Sequence, residues 1–370
     1  MTALFDPIRL GGLTLKNRAA LAPMTRARCP GNLPTAETTR YYAQRAGAGL
    51  IVTEGTVISA EGSGFVDCPG IWSREQVAAW QPVTQAVHDQ GAAIFTQIWH
   101  VGRVSHTSLQ PGGQAPVSST AQVAATSKAF GITADGTSGF LPASAPRALE
   151  TGEIAGIVDQ FATAAENAVA AGFDGVEIHG ANGYLLEQFL NGAVNDRTDR
   201  YGSQTVENRI RFALEVVDAC IARIGAERVA IRLSPFGRLH DLGDCDGEAD
   251  TVLTLATELD RRGIAFLHVM DQASRGAPAM PEGFLAKLRA AFPGVLVLAG
   301  GMDLARSNAM IGAGLIDMAA FGAPFTSNPD LVERLRHGWP LTPPDPDSFY
   351  GGDARGYTDW PAFTPEEEMA

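Results

Sequence analysis

Three side chains able to handle a proton or a carbonyl oxygen fall within six positions of this chain: His179, Asn182 and Tyr184. They lie in the stretch 175–190, GVEIHGANGYLLEQFL. Val176, Glu177 and Ile178 read as the end of a short buried strand. His179 opens a tight turn through Gly180, Ala181, Asn182 and Gly183, and Tyr184 leads into an apolar helical start at Leu185, Leu186, Phe189 and Leu190. Imidazole and carboxamide N–H groups donate to carbonyl oxygens, and a phenol supplies a proton. Chemistry in an α/β protein gathers where strands stop. A bland alternative stands beside this one, a histidine that caps a turn and a tyrosine that packs under a helix.

The elements that must position this cluster alternate along the chain. Strands are predicted over 19–24, 50–56, 93–99, 175–179, 229–233, 266–269, 295–299 and 316–321. Helices are predicted over 35–46, 74–90, 152–171, 207–224, 249–262, 281–292, 303–312 and 328–337. The last four strands are apolar on both faces, as buried parallel strands must be. Eight strands, each with its helix, predict a (β/α)8 TIM barrel spanning 1–370 as one unit. A Gly-, Ser-, Pro- and Thr-rich insert, 105–148, follows the third strand and is expected to carry a hairpin and cap the barrel. The tail beyond Pro340 is expected to fold back over it. A doubly wound sheet is the runner-up, but no GxGxxG follows the first strand and no GxxxxGK occurs.

The predicted strand ends carry Thr25, Gly55, Gln97 with Trp99, His179, Arg232, His268, Gly300 with Gly301, and Gly322. Backbone N–H groups at paired glycines can cradle a phosphate, although a plain tight turn would use the same residues. Gln97 can pair with the amide edge of a heterocycle, and Arg232 can stabilise negative charge on one. The bland reading of Arg232 is a buried ion pair. Metal-assisted hydrolysis would want more ligands than His179 and His268, and neither HxH nor HExxH occurs, so no metal is expected.

Composition narrows the partners. A net charge of −13 and scattered Lys and Arg argue against nucleic acid or an anionic membrane. No apolar run approaches the roughly 20 residues that cross a bilayer. No basic region precedes an apolar core at the start, where Asp6 and Pro7 come early. Cys29, Cys68, Cys220 and Cys245 lack CxxC spacing. The expectation is a cytoplasmic monomer or homodimer acting on a small molecule.

Seven separated segments then resemble the old yellow enzyme family of FMN-dependent oxidoreductases, its ene-reductase branch in particular. They are APMTR at 22–26, YYAQR at 41–45, TEG at 53–55, QIWHVGR at 97–103, the stretch 175–190, RTDRYG at 197–202 and IRLSP at 231–235; the run 349–359 matches the family's tail. The resemblance implies FMN over the barrel mouth, with Pro23, Met24 and Gly55 flanking the ring. Thr25 would bond the carbonyl beside N5, Gln97 the pyrimidine edge, and Arg232 the region of N1. Gly300, Gly301, Gly322 and Ala323 would meet the phosphate. His179 and Asn182 would donate to the carbonyl oxygen of an electron-poor alkene, and Tyr184 would protonate its α-carbon. Phe65, Trp99 and Tyr350 would shape the substrate pocket. NAD(P)H would supply hydride in the same pocket by ping-pong kinetics, with α,β-unsaturated carbonyl, nitro or maleimide compounds, and also nitroesters, as acceptors.

Three positions depart from the family's pattern. Ala323 stands where an arginine usually reaches the phosphate, with Arg306 the candidate substitute. The loop 201–207 is one residue longer, and Phe65 replaces a tyrosine. Two other readings compete. Iron–sulfur relatives with a second nucleotide domain need a longer chain and clustered cysteines. A barrel kept only to bind a ligand predicts loss of His179, Asn182 or Tyr184.

Overall fold

The computed structural model describes residues 3–365; residues 1, 2 and 366–370 of the expected unit lie outside them. Eight parallel strands close a barrel: Ala19–Leu21, Leu50–Val52, Ala93–Trp99, Gly175–Gly180, Val229–Leu233, Leu267–Met270, Leu296–Ala299 and Met318–Phe321. The closure is explicit, because Phe321 of the eighth strand lies in register with Leu21 of the first. The runner-up open sheet is thereby excluded.

Period-two alternation sorts each strand. In the fourth, Val176 and Ile178 face the helices while Glu177 and His179 point inward. The outward set joins a large core with Phe161 and Ala165 of the helix Ile154–Ala170 and with Phe212 and Val216 of the helix Val206–Ile224. The inward set forms a separate apolar core at the lower end, built on Phe95, Phe266, Leu50, Val297 and Met318. That end is closed by a hairpin absent from the sequence expectations, Ile8–Leu10 against Leu13–Leu15. Leu10 and Leu15 seal the barrel floor, each burial stabilising by about 2 kcal/mol. With only three residues per strand, this hairpin offers too little alternation to read.

Three expected elements change. The second strand stops at Val52, and pairing resumes only at Thr56–Val57. Between them Thr53 bonds Thr96 of the neighbouring strand, and the Glu54 carboxylate accepts from Arg26 N and Ala27 N at 2.9 and 3.1 Å. The final helix, expected over 328–337, starts only at Leu331, and a separate short helix, Ala323–Ser327, precedes it; Asn328, Pro329 and Asp330 lie between the two. The expected helix 281–292 starts only at Phe284, after Gly283 in the left-handed region.

Within 105–148 lies a hairpin, Lys128–Ile132 with Ser138–Pro142, and a short parallel pair, Val117–Ser118 with Arg147–Ala148. The C-terminal segment is strapped to the mouth by buried guanidinium groups. Arg26 donates to the carbonyls of Phe349 and Gly356, and Arg45 to those of Phe325 and Tyr357. Tyr357 stacks on Tyr41 at 4.3 Å. The APMTR and YYAQR segments thus share one task, holding the tail.

Candidate active site

The upper half of the barrel interior is polar. Gln97 and Glu177 are in register on neighbouring strands, and Arg232 lies in register with His179 on one side and His268 on the other. Gln97 Nε2 donates to Glu177 Oε1 at 2.8 Å, and His268 Nδ1 lies 2.6 Å from Glu177 Oε2. Gln97 therefore keeps its carbonyl end free to accept from a bound group. Among the described residues the Arg232 side chain hydrogen-bonds only to Met270 Sδ, at 3.4 Å; burial lowers its pKa, and the Glu177 carboxylate opposes that shift. Arg232 Nε, His268 Nε2 and Trp99 Nε1 are buried without a protein partner. Such groups are costly to leave unmet.

At the edge of this layer His179 and Tyr184 of the opening cluster meet, with Asn182 in the turn between them. His179 is buried, and its Nδ1 accepts from Ala181 N at 3.3 Å, so the ring proton sits on Nε2. Burial, together with the nearby Arg232, His268 and His240 charges, pushes its pKa well down. The imidazole is neutral at pH 7 and can donate. Tyr184 packs edge-on against His179 and Trp99, at 5.0 and 4.9 Å between ring centres. Burial raises its phenol pKa, which keeps the proton in place as an acid requires. Asn182 stands in the left-handed region at φ 58°, a conformation asparagine tolerates. Its backbone N–H donates to Ser234 Oγ and its Oδ1 accepts from Gln272 Nε2.

The turn is anchored from below and from the side. Gln188 Nε2 donates to the carbonyls of Val101 and Gly183. Glu187 accepts from Gly183 N and Ser234 Oγ, both at 2.6 Å, and burial pushes its carboxyl up to about 7. Arg103 of the QIWHVGR segment donates to the carbonyls of His240 and Asp241. This sets the His240 ring 5.0 Å from Tyr184, with a pKa pushed down to about 4 by burial.

The expected pocket-shaping residues also converge. Phe65 lies 5.7 Å from Trp99 and 5.9 Å from Tyr350 between ring centres. Phe130 and Phe140 of the insert hairpin extend this wall, Phe130 reaching Tyr350 at 6.2 Å and Phe140 at 5.6 Å. Gly55 has no room for a side chain, because a Cβ there would fall 2.2 Å from the Trp99 ring. Pro23, Met24 and Thr25 follow the first strand, half-buried. A Cβ on Gly322 would approach Met24 Sδ to 2.8 Å, so the first and eighth strand ends adjoin. Gly300 and Gly301 both take positive φ, and the Arg306 guanidinium donates to both their carbonyls and pairs with Asp271. Ala323 opens its short helix.

Sequence reasoning passed over Glu177, Gln272, Glu187, Ser234, His240, Phe130 and Phe140. Glu177 had a signal, a charge two residues before His179 and hence on the same inward face. Gln272 had none beyond its place after the sixth strand. Among the described residues no group of three His, Cys, Asp or Glu side chains could hold a metal ion, and no helix is long and apolar enough to cross a membrane.

A profile of the NADH:flavin oxidoreductase / NADH oxidase family matches residues 3–342. The chain belongs to this family. It is the family the sequence motifs resemble, and the enzyme is accordingly an FMN-dependent oxidoreductase with NAD(P)H as reductant. This flavin oxidoreductase is 45% identical over 363 residues to 12-oxophytodienoate reductase 1 of Oryza sativa subsp. japonica, covering 97% of this chain and 92% of that one. Its structure is similar to that of morphinone reductase in complex with tetrahydroNAD, with a TM-score of 0.95, 48% identity and 99% of each chain covered. It is also similar to the old yellow enzyme homologue from Zymomonas mobilis, with a TM-score of 0.91, 41% identity and 98% and 100% covered.

The residues present fit FMN at its ring end. The three unpartnered buried N–H and ring-nitrogen groups, on Arg232, His268 and Trp99, line the layer beneath the mouth, and Gly55 lets the Trp99 ring lie directly against the backbone there. Arg232 is a fixed positive charge suited to a reduced flavin's negative charge. At the phosphate end the fit rests on backbone: Gly300, Gly301 and Gly322, with Arg306 the cation beside the glycine pair.

Proposed function

We propose that this flavin oxidoreductase is an ene-reductase, reducing the C=C bond of α,β-unsaturated carbonyl and related nitro or maleimide compounds by a ping-pong mechanism. The observation that carries the reading is the contact of a neutral imidazole donor with a protonated phenol, with a carboxamide in the turn between them, beside the buried Arg232 and Gln97. FMN, which Arg232, Gln97, Thr25 and the strand-end glycines would hold, would supply the hydride chemistry that links NAD(P)H as reductant to the alkene as acceptor.

The chain's own residues divide the remaining work. His179 Nε2–H and Asn182 Nδ2–H hold the substrate's carbonyl oxygen, drawing electron density from the β-carbon. Tyr184 donates its hydroxyl proton to the α-carbon. Its raised pKa leaves it protonated at neutral pH and makes it a proton donor only to a basic carbon centre. Trp99, Phe65 and Tyr350, with Phe130 and Phe140 from the insert, form the apolar wall that excludes water. Arg232 and Gln97 would hold the ring edge of FMN, Thr25 would bond it as well, and Pro23, Met24 and Gly55 would flank it. Gly300, Gly301, Gly322 and Ala323 face the phosphate.

Purified protein is expected to be yellow, to bleach anaerobically with NAD(P)H and to recover its colour when cyclohexenone is added. A preparation that bleaches but never recovers with any activated alkene would remove the ene-reductase reading and leave the flavin one.

A further inference from the structure

An amide side chain is ambiguous as a substrate contact, because one end donates and the other accepts. The surroundings of Asn182 remove the ambiguity through a chain of one-way hydrogen bonds. Gln272, buried in the turn Gln272–Arg275 after the sixth barrel strand, accepts at Oε1 from Arg238 N at 3.0 Å and Leu239 N at 3.3 Å. Two backbone N–H groups can only meet the oxygen of that amide, so its NH2 end is the one that faces Asn182. An NH2 group only donates. Asn182 must therefore present Oδ1, and the contact is 3.0 Å. Its own NH2 group is turned away from Gln272 and has no protein partner among the described residues.

The backbone under Asn182 is fixed in the same directional way. Ser234 gives its hydroxyl proton to Glu187, so its oxygen is free to accept from Asn182 N at 2.8 Å. Glu187 also accepts from Gly183 N, the next residue of the turn. The left-handed turn and the orientation of the amide are thus set by separate contacts, the first by Ser234 and Glu187, the second by Gln272.

We propose that Gln272 is a positioning residue that fixes Asn182 as a donor toward substrate oxygen. The proposal rests on the reading of Asn182 as a carbonyl-binding residue. It makes the isosteric change Gln272→Glu informative. A glutamate still accepts from Arg238 N and Leu239 N but offers Asn182 no proton. Asn182 then turns its NH2 group toward the new carboxylate, and Oδ1 faces the substrate.

The test titrates a phenol, whose oxygen stands in for the substrate's, into the FMN-loaded wild type, Asn182→Ala, Gln272→Glu and the double variant, following the change in flavin absorbance. Gln272→Glu is expected to weaken binding about tenfold, the worth of one hydrogen bond lost and an acceptor put in its place. In the Asn182→Ala background the same change is expected to add less than about twofold, since no amide is left to turn. Wild-type affinity in Gln272→Glu overturns the proposal, and so does an equal loss in both backgrounds, which marks a loop effect that bypasses Asn182. If Asn182→Ala itself binds phenol as the wild type does, the carbonyl-binding reading of Asn182 falls and the proposal with it. Gln272→Met serves if Gln272→Glu sheds its FMN. It frees the amide to rotate, with about a threefold loss expected, again confined to the background that retains Asn182; a loss independent of Asn182 overturns the proposal here too.

Discussion

The floor and the mouth of this barrel are built by the same strands, two residues apart, and they obey opposite rules. At the floor Phe95, Phe266 and Leu50 interlock, with Phe95 and Phe266 5.3 Å apart and sealed by Leu10 and Leu15. A Cβ on Gly175 would lie 2.3 Å from the Phe95 ring, so the strand gives up a side chain to admit it. One inward position further along, Phe95 gives way to Gln97, Gly175 to Glu177, Ala230 to Arg232 and Phe266 to His268. The floor is apolar throughout. The mouth holds Arg232 Nε, His268 Nε2 and Trp99 Nε1 without a partner among the described residues. Buried unmet groups occur elsewhere in the chain too, Arg18 Nε and Arg209 Nε among them, but these three sit on the ends of barrel strands, where a bound group could meet them.

The largest test of that contrast is chemical. Tyr184→Phe keeps the ring packing at the mouth and deletes one proton; alkene reduction is expected to fall by about 10²–10⁴-fold, with flavin reduction by NAD(P)H far less affected. Stopped-flow measurement of the two half-reactions decides it, and equal losses would take Tyr184 out of its acid role. At the floor, Phe266→Ala is expected to cost about 3–5 kcal/mol in urea unfolding. Folded Phe266→Ala should retain its flavin spectrum, because the cavity opens below the polar layer. A loss of FMN at wild-type stability would erase the distinction between the two ends.

The phosphate side of the mouth gives a gain rather than a loss. Ala323→Arg adds a guanidinium beside Gly322 and is expected to tighten FMN about tenfold, as a charge-assisted bond does. An unchanged dissociation constant on titrating apoprotein would mean that Arg306 or backbone N–H groups already suffice.

The smallest effect concerns pH. Burial holds the Glu187 carboxyl at about 7, above its unfolded value near 4.3. A raised folded pKa contributes stability below the unfolded pKa and loses it as pH rises through the folded one. Glu187→Gln removes that decline. Relative to wild type its melting temperature is expected to be similar at pH 4 and a few degrees higher at pH 8, a difference on the order of 1–2 kcal/mol after the loss of one acceptor. A parallel pH profile in both proteins would show that Glu187 does not titrate in this range.

The alternation of apolar and polar residues was enough to place eight strands and most of their helices, because inward and outward faces repeat every two residues along a strand and helical faces every 3.6. The ends of those strands, read in order, also named His179, Asn182, Tyr184, Gln97 and Arg232 as candidates. Short range makes these residues legible: each lies on its own strand or in the turn directly after it. The floor hairpin and the short helix Ala323–Ser327 escaped, both for want of length.

What only the tertiary structure decided is the direction of each hydrogen bond. The residue type of Asn182 says that it can donate or accept; Gln272, 90 residues away, says which. The histidine at position 179 can carry its proton on either nitrogen, and the Ala181 N–H assigns it to Nε2. Donor and acceptor choices depend on partners brought together by barrel closure, and no local pattern in a linear chain encodes them.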